Sequence, residues 1–319
     1  MKLLITSVGR RVELVQALKN AAIELKKDVE IIGADISLTA PALMFCDKKI
    51  QVCRIDDKNY LPSLLEICRT EKIDCLIPTI DTDLLLLAKH KADFEKQGTK
   101  VLIASYDKVK LCRDKNLTAD YFISLGLKSP QPVNDANEYT AGYPAFIKPK
   151  DGSSSIDAYR ANDFSELMTY AQKIKDYVIQ PFISGKEYTI DIFCDYEGNP
   201  VYITPRQRLA VRSGEVLKTQ IAQDETMIQE MQTLLADYRP SGAITVQLIQ
   251  DEKTGDNYYI EINPRFGGGA PLSMKAGANS AKALLEMLSG KQLTYQPKAA
   301  KNNAIYCRFD QSVCVNEGE

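Results

Sequence analysis

The first hundred residues of the chain alternate short apolar runs with longer segments in which apolar residues recur at helical spacing. Four apolar runs predict buried strands, at residues 2–6, 29–34, 73–78 and 100–104. The segments with helical periodicity are 11–25, 60–69 and 82–91. Alternating strands and helices are typical of a doubly wound α/β domain with a parallel sheet. We therefore expect a Rossmann-like domain over residues 1–106.

After residue 107 the pattern shifts towards longer strands joined by turns. A long amphipathic helix is predicted at 109–125, with Gly126 just past its end. The other predicted helices are 163–174 and 279–288, and the predicted strands are 143–149, 178–183, 187–195, 201–204, 243–250, 258–263 and 304–309. Several of these strands are joined by short polar turns, which favours antiparallel pairing. The expected fold class is therefore α/β followed by α+β.

The composition narrows the range of functions. The 319 residues include 40 Lys and Arg against 42 Asp and Glu, a balance that argues against binding nucleic acid by bulk charge. The single histidine, His90, excludes poly-histidine metal sites. No CxxC pair occurs among the eight cysteines, and no apolar stretch approaches the ~20 residues of a membrane span. We expect a cytoplasmic protein that binds neither nucleic acid nor membrane.

The end of the first predicted strand offers one candidate nucleotide site. Gly9 follows this strand and Asp35 ends the next, at the edge where open α/β sheets bind ligands. A dinucleotide site requires G-x-G-x-x-G, whereas Gly9 stands alone. We therefore favour a tight turn with a capping aspartate, and keep a nicotinamide-dependent oxidoreductase as an alternative. Asp81 and Asp83, after the strand at 73–78, are expected to cap the next helix.

The most informative segment is YYIEINPR, at residues 258–265. Side chains alternate in a strand, so Glu261 and Asn263 should share one face while Ile260 and Ile262 face the core. A carboxylate and an amide oxygen on one face suit Mg²⁺ when nucleotide phosphates complete its shell.

Two further side chains extend this candidate site. Gln247, on the partner strand, lies opposite Glu261 if the register allows, although a shift of one residue would turn it away. Arg265, at the strand's end, offers a planar fork that suits phosphate oxygens.

A second polar cluster lies upstream. Lys148 and Lys150 fall on one face at the end of the strand predicted at 143–149, and the small-residue loop DGSSS follows at 151–155. Small side chains let backbone N–H groups approach phosphate oxygens, while the lysines supply positive charge. This is not a Walker A loop, because Gly185-Lys186 and Gly290-Lys291 are followed by neither Ser nor Thr.

The order of these segments resembles the ATP-grasp superfamily of carboxylate–amine ligases, in particular the large subunit of carbamoyl-phosphate synthase. The segments that carry the resemblance are Asp114-Lys115 with the following helix to Gly126, 143–155, VIQPFI at 178–183, GKEYTID at 185–191, and IEINPR at 260–265. The resemblance implies a Rossmann-like preATP-grasp domain at 1–106 and one two-lobed ATP-grasp domain. Its small lobe is expected at 107–183 and its large lobe, with a magnesium site, at 184–319.

The resemblance also implies roles for individual residues. The residues expected to hold ATP are Lys115, Lys148, Gly152, Ser153, Ser154 and Ser155 at the phosphates, Gln180, Pro181, Phe182 and Ile183 at the adenine, and Glu187 at the ribose. The expected metal ligands are Gln247, Glu261 and Asn263. The expected catalytic residues are Arg265, Arg212 and Lys148, with Arg206 and Arg208 as competitors for the role of Arg212.

The implied function is a ligase that uses ATP and Mg²⁺, with Mn²⁺ as an alternative cation. It would join a small carboxylate to an amine, or to a thiol, through an acyl phosphate. The resemblance also suggests a homodimer. A non-catalytic ATP-binding sensor or scaffold module is the main alternative.

Overall fold

The structure of the protein is a computed structural model, which describes residues 1–150 and 157–315. The predicted phosphate-loop residues Gly152, Ser153, Ser154 and Ser155 lie outside the described residues. The described chain contains three sheets, which follow one another along the sequence.

The first sheet is parallel and has five strands, in the order β3-β2-β1-β4-β5. Its strands are β1 (Lys2–Thr6), β2 (Glu30–Asp35), β3 (Lys48–Gln51), β4 (Cys75–Pro78) and β5 (Lys100–Val101). The predicted parallel sheet is therefore confirmed, apart from β3, which the sequence did not predict. Strand β3 has no apolar run in its sequence, KKIQ, because it lies at the sheet's edge and is largely exposed.

Helices cover both the first sheet and the connection that follows it. They are α1 (Val12–Glu24), α2 (Tyr60–Glu71), α3 (Leu84–Lys89), α4 (Lys91–Glu95), α5 (Tyr106–Arg113) and α6 (Lys115–Ser124), with a 3-10 turn at Pro41–Phe45. The single helix predicted at 109–125 is two helices. Asp114 has extended backbone angles (φ −108°, ψ 117°), ends α5, and caps α6 by accepting hydrogen bonds from the N–H groups of Asn116 and Leu117.

The second sheet is small and antiparallel, in the order β7-β6-β8. Its elements are β6 (Ala145–Pro149), β7 (Tyr159–Ala161), β8 (Tyr177–Pro181) and helix α7 (Phe164–Ala171), after a 3-10 turn at Ala136–Glu138. It has its own apolar core, which includes Ile147, Leu167 and Ile179.

The third sheet has six antiparallel strands in the order β13-β12-β9-β10-β11-β14. Its strands are β9 (Gly185–Cys194), β10 (Pro200–Arg212), β11 (Glu215–Ile221), β12 (Gly242–Asp251), β13 (Asn257–Asn263) and β14 (Ile305–Cys307), and its helices are α8 (Glu225–Tyr238), α9 (Ala270–Ala276) and α10 (Ser280–Leu288). The strand predicted at 201–204 is much longer, because β10 continues through the polar segment RQRLAVR and pairs with the unpredicted β11.

The first and third sheets share their apolar core. Leu4 and Leu76 of the first sheet belong to the same buried cluster as Ile190, Val246 and Tyr259 of the third. Helix α1 packs against α10 in a second shared cluster. Burial of this apolar surface fixes the two sheets relative to each other, so residues at their facing edges can build one site. Within residues 1–150 and 157–315, no helix is both long and apolar enough to cross a bilayer.

Candidate active site

One face of the third sheet carries a row of polar side chains that runs across four strands. Glu261 pairs in register with Gln247, Gln247 with Thr189, and Thr189 with Arg206. The open question about Gln247 is therefore answered, because it lies directly opposite Glu261. All four residues line one cavity of about 570 Å³.

A β-bulge sets which side chains of β13 face this cavity. The register shifts so that Leu248 pairs with Tyr259 and Ile260 is the extra residue. Tyr259 and Ile262 are consequently the core residues, at 0% and 2% exposure, whereas Ile260 is only half-buried. The prediction that Ile260 and Ile262 both face the core is thus wrong for Ile260, since strict alternation does not survive the bulge.

The three predicted metal ligands offer oxygen donors on one face. Nδ2 of Asn263 donates a hydrogen bond to Oε1 of Glu261 at 2.9 Å, which turns the oxygen of the Asn263 amide away from that contact. In the described part of the chain, no three His, Cys, Asp or Glu side chains come together to hold a metal by themselves. The donor set therefore fits Mg²⁺ held jointly by one carboxylate, amide oxygens and nucleotide phosphates.

Two lysines on neighbouring elements lie near this donor set. Lys148, on β6, lies near enough to Glu261 and Lys115 for both to affect its charge. The pKa of Lys148 is lowered to about 8, chiefly by burial; the negative charge of Glu261 opposes this shift, and the positive charge of Lys115 contributes a smaller lowering. Lys115 is the first residue of α6, donates from Nζ to the Lys150 carbonyl at 2.9 Å, and shares a small cavity with Glu261 and Asn263.

The lowered pKa of Lys148 predicts a pH dependence of nucleotide binding. The charged lysine attracts phosphate, and its proton is lost as pH rises through about 8, so affinity should fall above that pH. We expect the Kd of a non-hydrolysable ATP analogue with Mg²⁺ to rise roughly tenfold between pH 8 and 9.5. Calorimetric titration across this range measures it. Lys148→Arg should flatten the profile because arginine stays charged, and an equally steep profile in that variant would contradict the assignment.

Arg265 reaches from the end of β13 to the first domain. Its Nε and Nη2 donate to the two carboxylate oxygens of Asp81 at 2.9 and 2.5 Å, and both side chains are mostly buried. The expectation that Asp81 and Asp83 cap the next helix is wrong. Asp83 stands at the N-cap of α3 without a side-chain cap bond and instead accepts hydrogen bonds from Thr6 and Tyr60, and Asp81 orients Arg265.

The structure separates the three candidate arginines of β10. Arg206 and Arg208 line the main cavity, whereas Arg212 lies outside its lining and pairs with Asp310 at 2.9 Å. Arg212 is also more than half exposed. The extension of β10 beyond the predicted 201–204 explains this separation, because Arg212 falls at the far end of the strand.

The residues predicted to hold adenine and ribose lie at and around the connection between β8 of the second sheet and β9 of the third. Gln180 is buried and its Nε2 donates to the Pro130 carbonyl at 2.6 Å, so its amide oxygen is the group left for another partner. The Phe182 N–H donates to the Pro144 carbonyl at 3.1 Å. Pro181 ends β8, Ile183 is half-buried, and Glu187 pairs with Arg208 at 3.2 Å.

The turn after β1 is a tight turn held by Asp35, as expected from the sequence in place of a dinucleotide site. Gly9 has a positive φ of 44°, and its N–H donates to Oδ2 of Asp35 at 2.8 Å. Oδ1 of Asp35 accepts from the Ser37 N–H at 3.0 Å. Both carboxylate oxygens are thus bound to backbone N–H groups, which leaves Asp35 poorly suited to hold a ribose.

Asp81 and Arg11 line this cavity without a sequence motif that assigns them a role there. Asp81, Arg11 and the glycines at 267–269 line the cavity from segments distant in sequence. Asp81 follows β4 and Arg11 follows β1, so both lie at the carboxyl ends of parallel strands, which are the usual ligand edge of an α/β sheet.

Two family models match parts of this chain. The model described as PylC-like, N-terminal domain matches residues 3–102, and the model of the ATP-grasp in the biosynthetic pathway with Ter operon matches residues 173–308. Residues 3–102 are therefore similar to a PylC-like N-terminal domain, and residues 173–308 to an ATP-grasp domain. The predicted resemblance and fold class are confirmed.

One individual relative is similar to most of the chain. The N-terminal section of the carbamoyl phosphate synthase large chain of Aquifex aeolicus is 26% identical over 271 residues, which cover 74% of this chain and 49% of that protein. The chain thus spans about half the length of this relative.

Two solved structures show the same fold. One is the biotin carboxylase domain dimer of Hydrogenobacter thermophilus 2-oxoglutarate carboxylase with MgADP, ADP and bicarbonate, at TM-score 0.74 and 21% identity, covering 96% of this chain and 74% of that chain. The other is N5-carboxyaminoimidazole synthetase from Staphylococcus aureus with ADP, at TM-score 0.74 and 17% identity, covering 92% and 78%.

Proposed function

We propose that the chain is an ATP- and Mg²⁺-dependent ligase that joins a carboxylate to an amine. The observation that carries this proposal is that Glu261 and Asn263 line one cavity with Lys115 and another with Arg265, and that Lys148 is near enough to Glu261 and Lys115 for their charges to act on it. These groups surround a space that suits a polyphosphate and a divalent cation, and the solved relatives with ADP or MgADP share the fold. Transfer to a thiol would use the same first step.

The chemistry proceeds in two displacements. A carboxylate oxygen of the substrate attacks the γ-phosphorus of ATP, the bond from that phosphorus to the β–γ bridging oxygen breaks, and ADP leaves. The amine nitrogen then attacks the acyl carbon, the bond from carbon to the phosphate oxygen breaks, and inorganic phosphate leaves as the nitrogen loses a proton to water. The products are an amide, ADP and phosphate.

The protein's contribution is charge stabilisation and positioning. Lys148 and Lys115 would hold the transferred phosphate, and Arg265, oriented by Asp81, would meet its oxygens. Bound Mg²⁺ would neutralise charge that develops on the phosphate oxygens, and Glu261, Asn263 and Gln247 would hold it. Little acid–base catalysis is needed. This agrees with the position of His90, whose Nδ1 lies 3.0 Å from Asp93 in the first domain.

A screen for substrate-stimulated ADP release tests the proposal. The purified chain with ATP and Mg²⁺ is incubated with pooled small carboxylates, each with and without pooled amino acids as amines. We expect ADP release to depend on a carboxylate, on the divalent cation and on an amine for multiple turnovers. Tight binding of ATP without stimulated release by any pool would contradict the ligase and favour a sensor.

A further inference from the structure

A run of three glycines, at residues 267–269, forms one wall of the main cavity. None of the three has a positive φ, so the backbone does not require glycine there. A Cβ on Gly268 would overlap the Glu215 carboxylate and lie 2.7 Å from Nη1 of Arg11, and a Cβ on Gly269 would lie 2.5 Å from Nη2 of Arg206. Gly268 therefore leaves room at the cavity wall for the Glu215 carboxylate and the Arg11 guanidinium, and Gly269 leaves room for the Arg206 guanidinium.

Arg206 is oriented for a contact that the described residues do not supply. Its Nε and Nη2 donate to the two oxygens of Asp191 at 2.7 and 3.4 Å, and the Ser273 hydroxyl holds that carboxylate at 2.6 Å. Nη1 is buried without a hydrogen-bond partner among the described residues, although the residue is only 2% exposed. An unmade hydrogen bond on a buried charged group is unfavourable, so a ligand that completes it would gain affinity.

Arg11 brings a second positive charge from the first domain. It follows the turn after β1, its Nη2 donates to the Thr79 carbonyl at 3.3 Å, and its Nη1 lies 3.5 Å from Glu215. Burial lowers the pKa of Arg11, and the nearby charge of Arg265 lowers it further. Glu215 offsets part of the charge of Arg11 at this wall, whereas Nη1 of Arg206 is left for an anion.

This wall is set apart from the proposed metal site. In the cross-sheet row, Arg206 is three strands away from Glu261, which is roughly 14 Å between Cα atoms at the usual strand spacing. A carboxylate that receives the phosphoryl group beside Glu261 would not reach Nη1 of Arg206. A second anionic group on the same small molecule could reach Nη1 of Arg206.

We propose that Arg206 and Arg11, against the glycines at 267–269, form a subsite for a second anionic group of the acid substrate. This inference rests on the proposed function, which supplies the first carboxylate. The substrate class is then a small acid with two carboxylates, such as a dicarboxylate or an acidic amino acid. Arg206 specifies the second group by charge-assisted hydrogen bonding.

Binding of matched acid and amide pairs tests the subsite without relying on turnover. The probes are succinate against succinamate, glutarate against glutaramate, and L-glutamate against L-glutamine, titrated calorimetrically into the chain with Mg²⁺ and a non-hydrolysable ATP analogue. We expect at least one diacid to bind at millimolar concentration or better, and at least tenfold more tightly than its amide. Equal affinities, or no binding of any diacid while the nucleotide binds, would overturn the subsite and leave the ligase proposal standing.

Variants show whether the preference comes from Arg206. Arg206→Gln should remove the acid-over-amide preference and leave the affinity for the nucleotide analogue unchanged. Because this variant leaves Asp191 buried and unpaired, the double variant Asp191→Asn/Arg206→Gln provides a second test without an isolated charge. Arg308→Gln is the control, since Arg308 also pairs with Glu215, at 3.2 Å, but lies outside this cavity's lining. A preference that persists in the Arg206 variants, or that disappears equally in Arg308→Gln, would overturn the proposal.

Discussion

Glu261→Gln is expected to reduce substrate-stimulated ADP release by about a thousandfold or more. The variant keeps the size of the side chain and an oxygen for the hydrogen bond from Asn263, but removes the one carboxylate among the proposed metal ligands. Stabilisation of phosphoryl charge by a bound metal is worth several kcal/mol, and about 4 kcal/mol corresponds to a thousandfold in rate. The measurement is the initial rate of ADP release at saturating ATP and Mg²⁺.

A matched exposed carboxylate controls for the change of charge. Glu252 lies in the turn between β12 and β13, outside the cavity lining, where its Oε1 accepts a hydrogen bond from the Ser184 hydroxyl. Glu252→Gln should leave the rate within about twofold of the original, and both variants should unfold within a few degrees of the parent. A fully active, folded Glu261→Gln variant would contradict the proposed metal site.

Arg265→Lys is expected to lower kcat by about a hundredfold while the affinity for the nucleotide analogue changes little. Lysine retains the positive charge but lacks the planar fork with which Arg265 contacts both oxygens of Asp81. The charge would then no longer be held where it meets the transferred phosphoryl group, and removal of one such contact typically costs ~10²–10³ in rate. Comparison of kcat with the calorimetric Kd of the analogue separates this effect from weaker binding.

Asp81→Asn tests the ion pair between Arg265 and Asp81 by changing the carboxylate instead of the guanidinium. It keeps the guanidinium but removes the carboxylate that orients it, so Asp81 acts as a positioning residue. We expect kcat to fall by about tenfold, with the KM for ATP unchanged. If Arg265→Lys kept the parent kcat, or if either variant lost activity only through a raised KM for ATP, the assigned role of Arg265 would be wrong.

The segments of the fold that the sequence predicted well are those in which a local pattern matches a local structure. The parallel strands β1, β2 and β4 and helix α1 coincide with apolar runs of the right period. Glu261 and Asn263 could be paired from alternation alone, because they are two residues apart on one strand. By contrast, the break at Asp114 depends on one extended residue inside an otherwise helical pattern.

What could not be predicted depends on register and on contacts between distant segments. Gln247 faces Glu261 in a pairing that shifts at the next residue, and no sequence feature marks that bulge. Asp81 meets Arg265 across 184 positions of the chain, and Arg206 owes its orientation to Asp191 on the adjacent strand. These contacts follow from the way in which the first and third sheets share one core, which only the folded chain reveals.

Trapping of the acyl phosphate tests the central claim most directly. Hydroxylamine replaces the amine in a reaction with ATP, Mg²⁺ and the carboxylate found by the ADP-release screen, and the hydroxamate is measured beside ADP. The proposed mechanism predicts that hydroxamate and ADP form in equal amounts, only with the carboxylate and a divalent cation, and not in Glu261→Gln. Release of ADP without hydroxamate would contradict transfer of the phosphoryl group to a carboxylate.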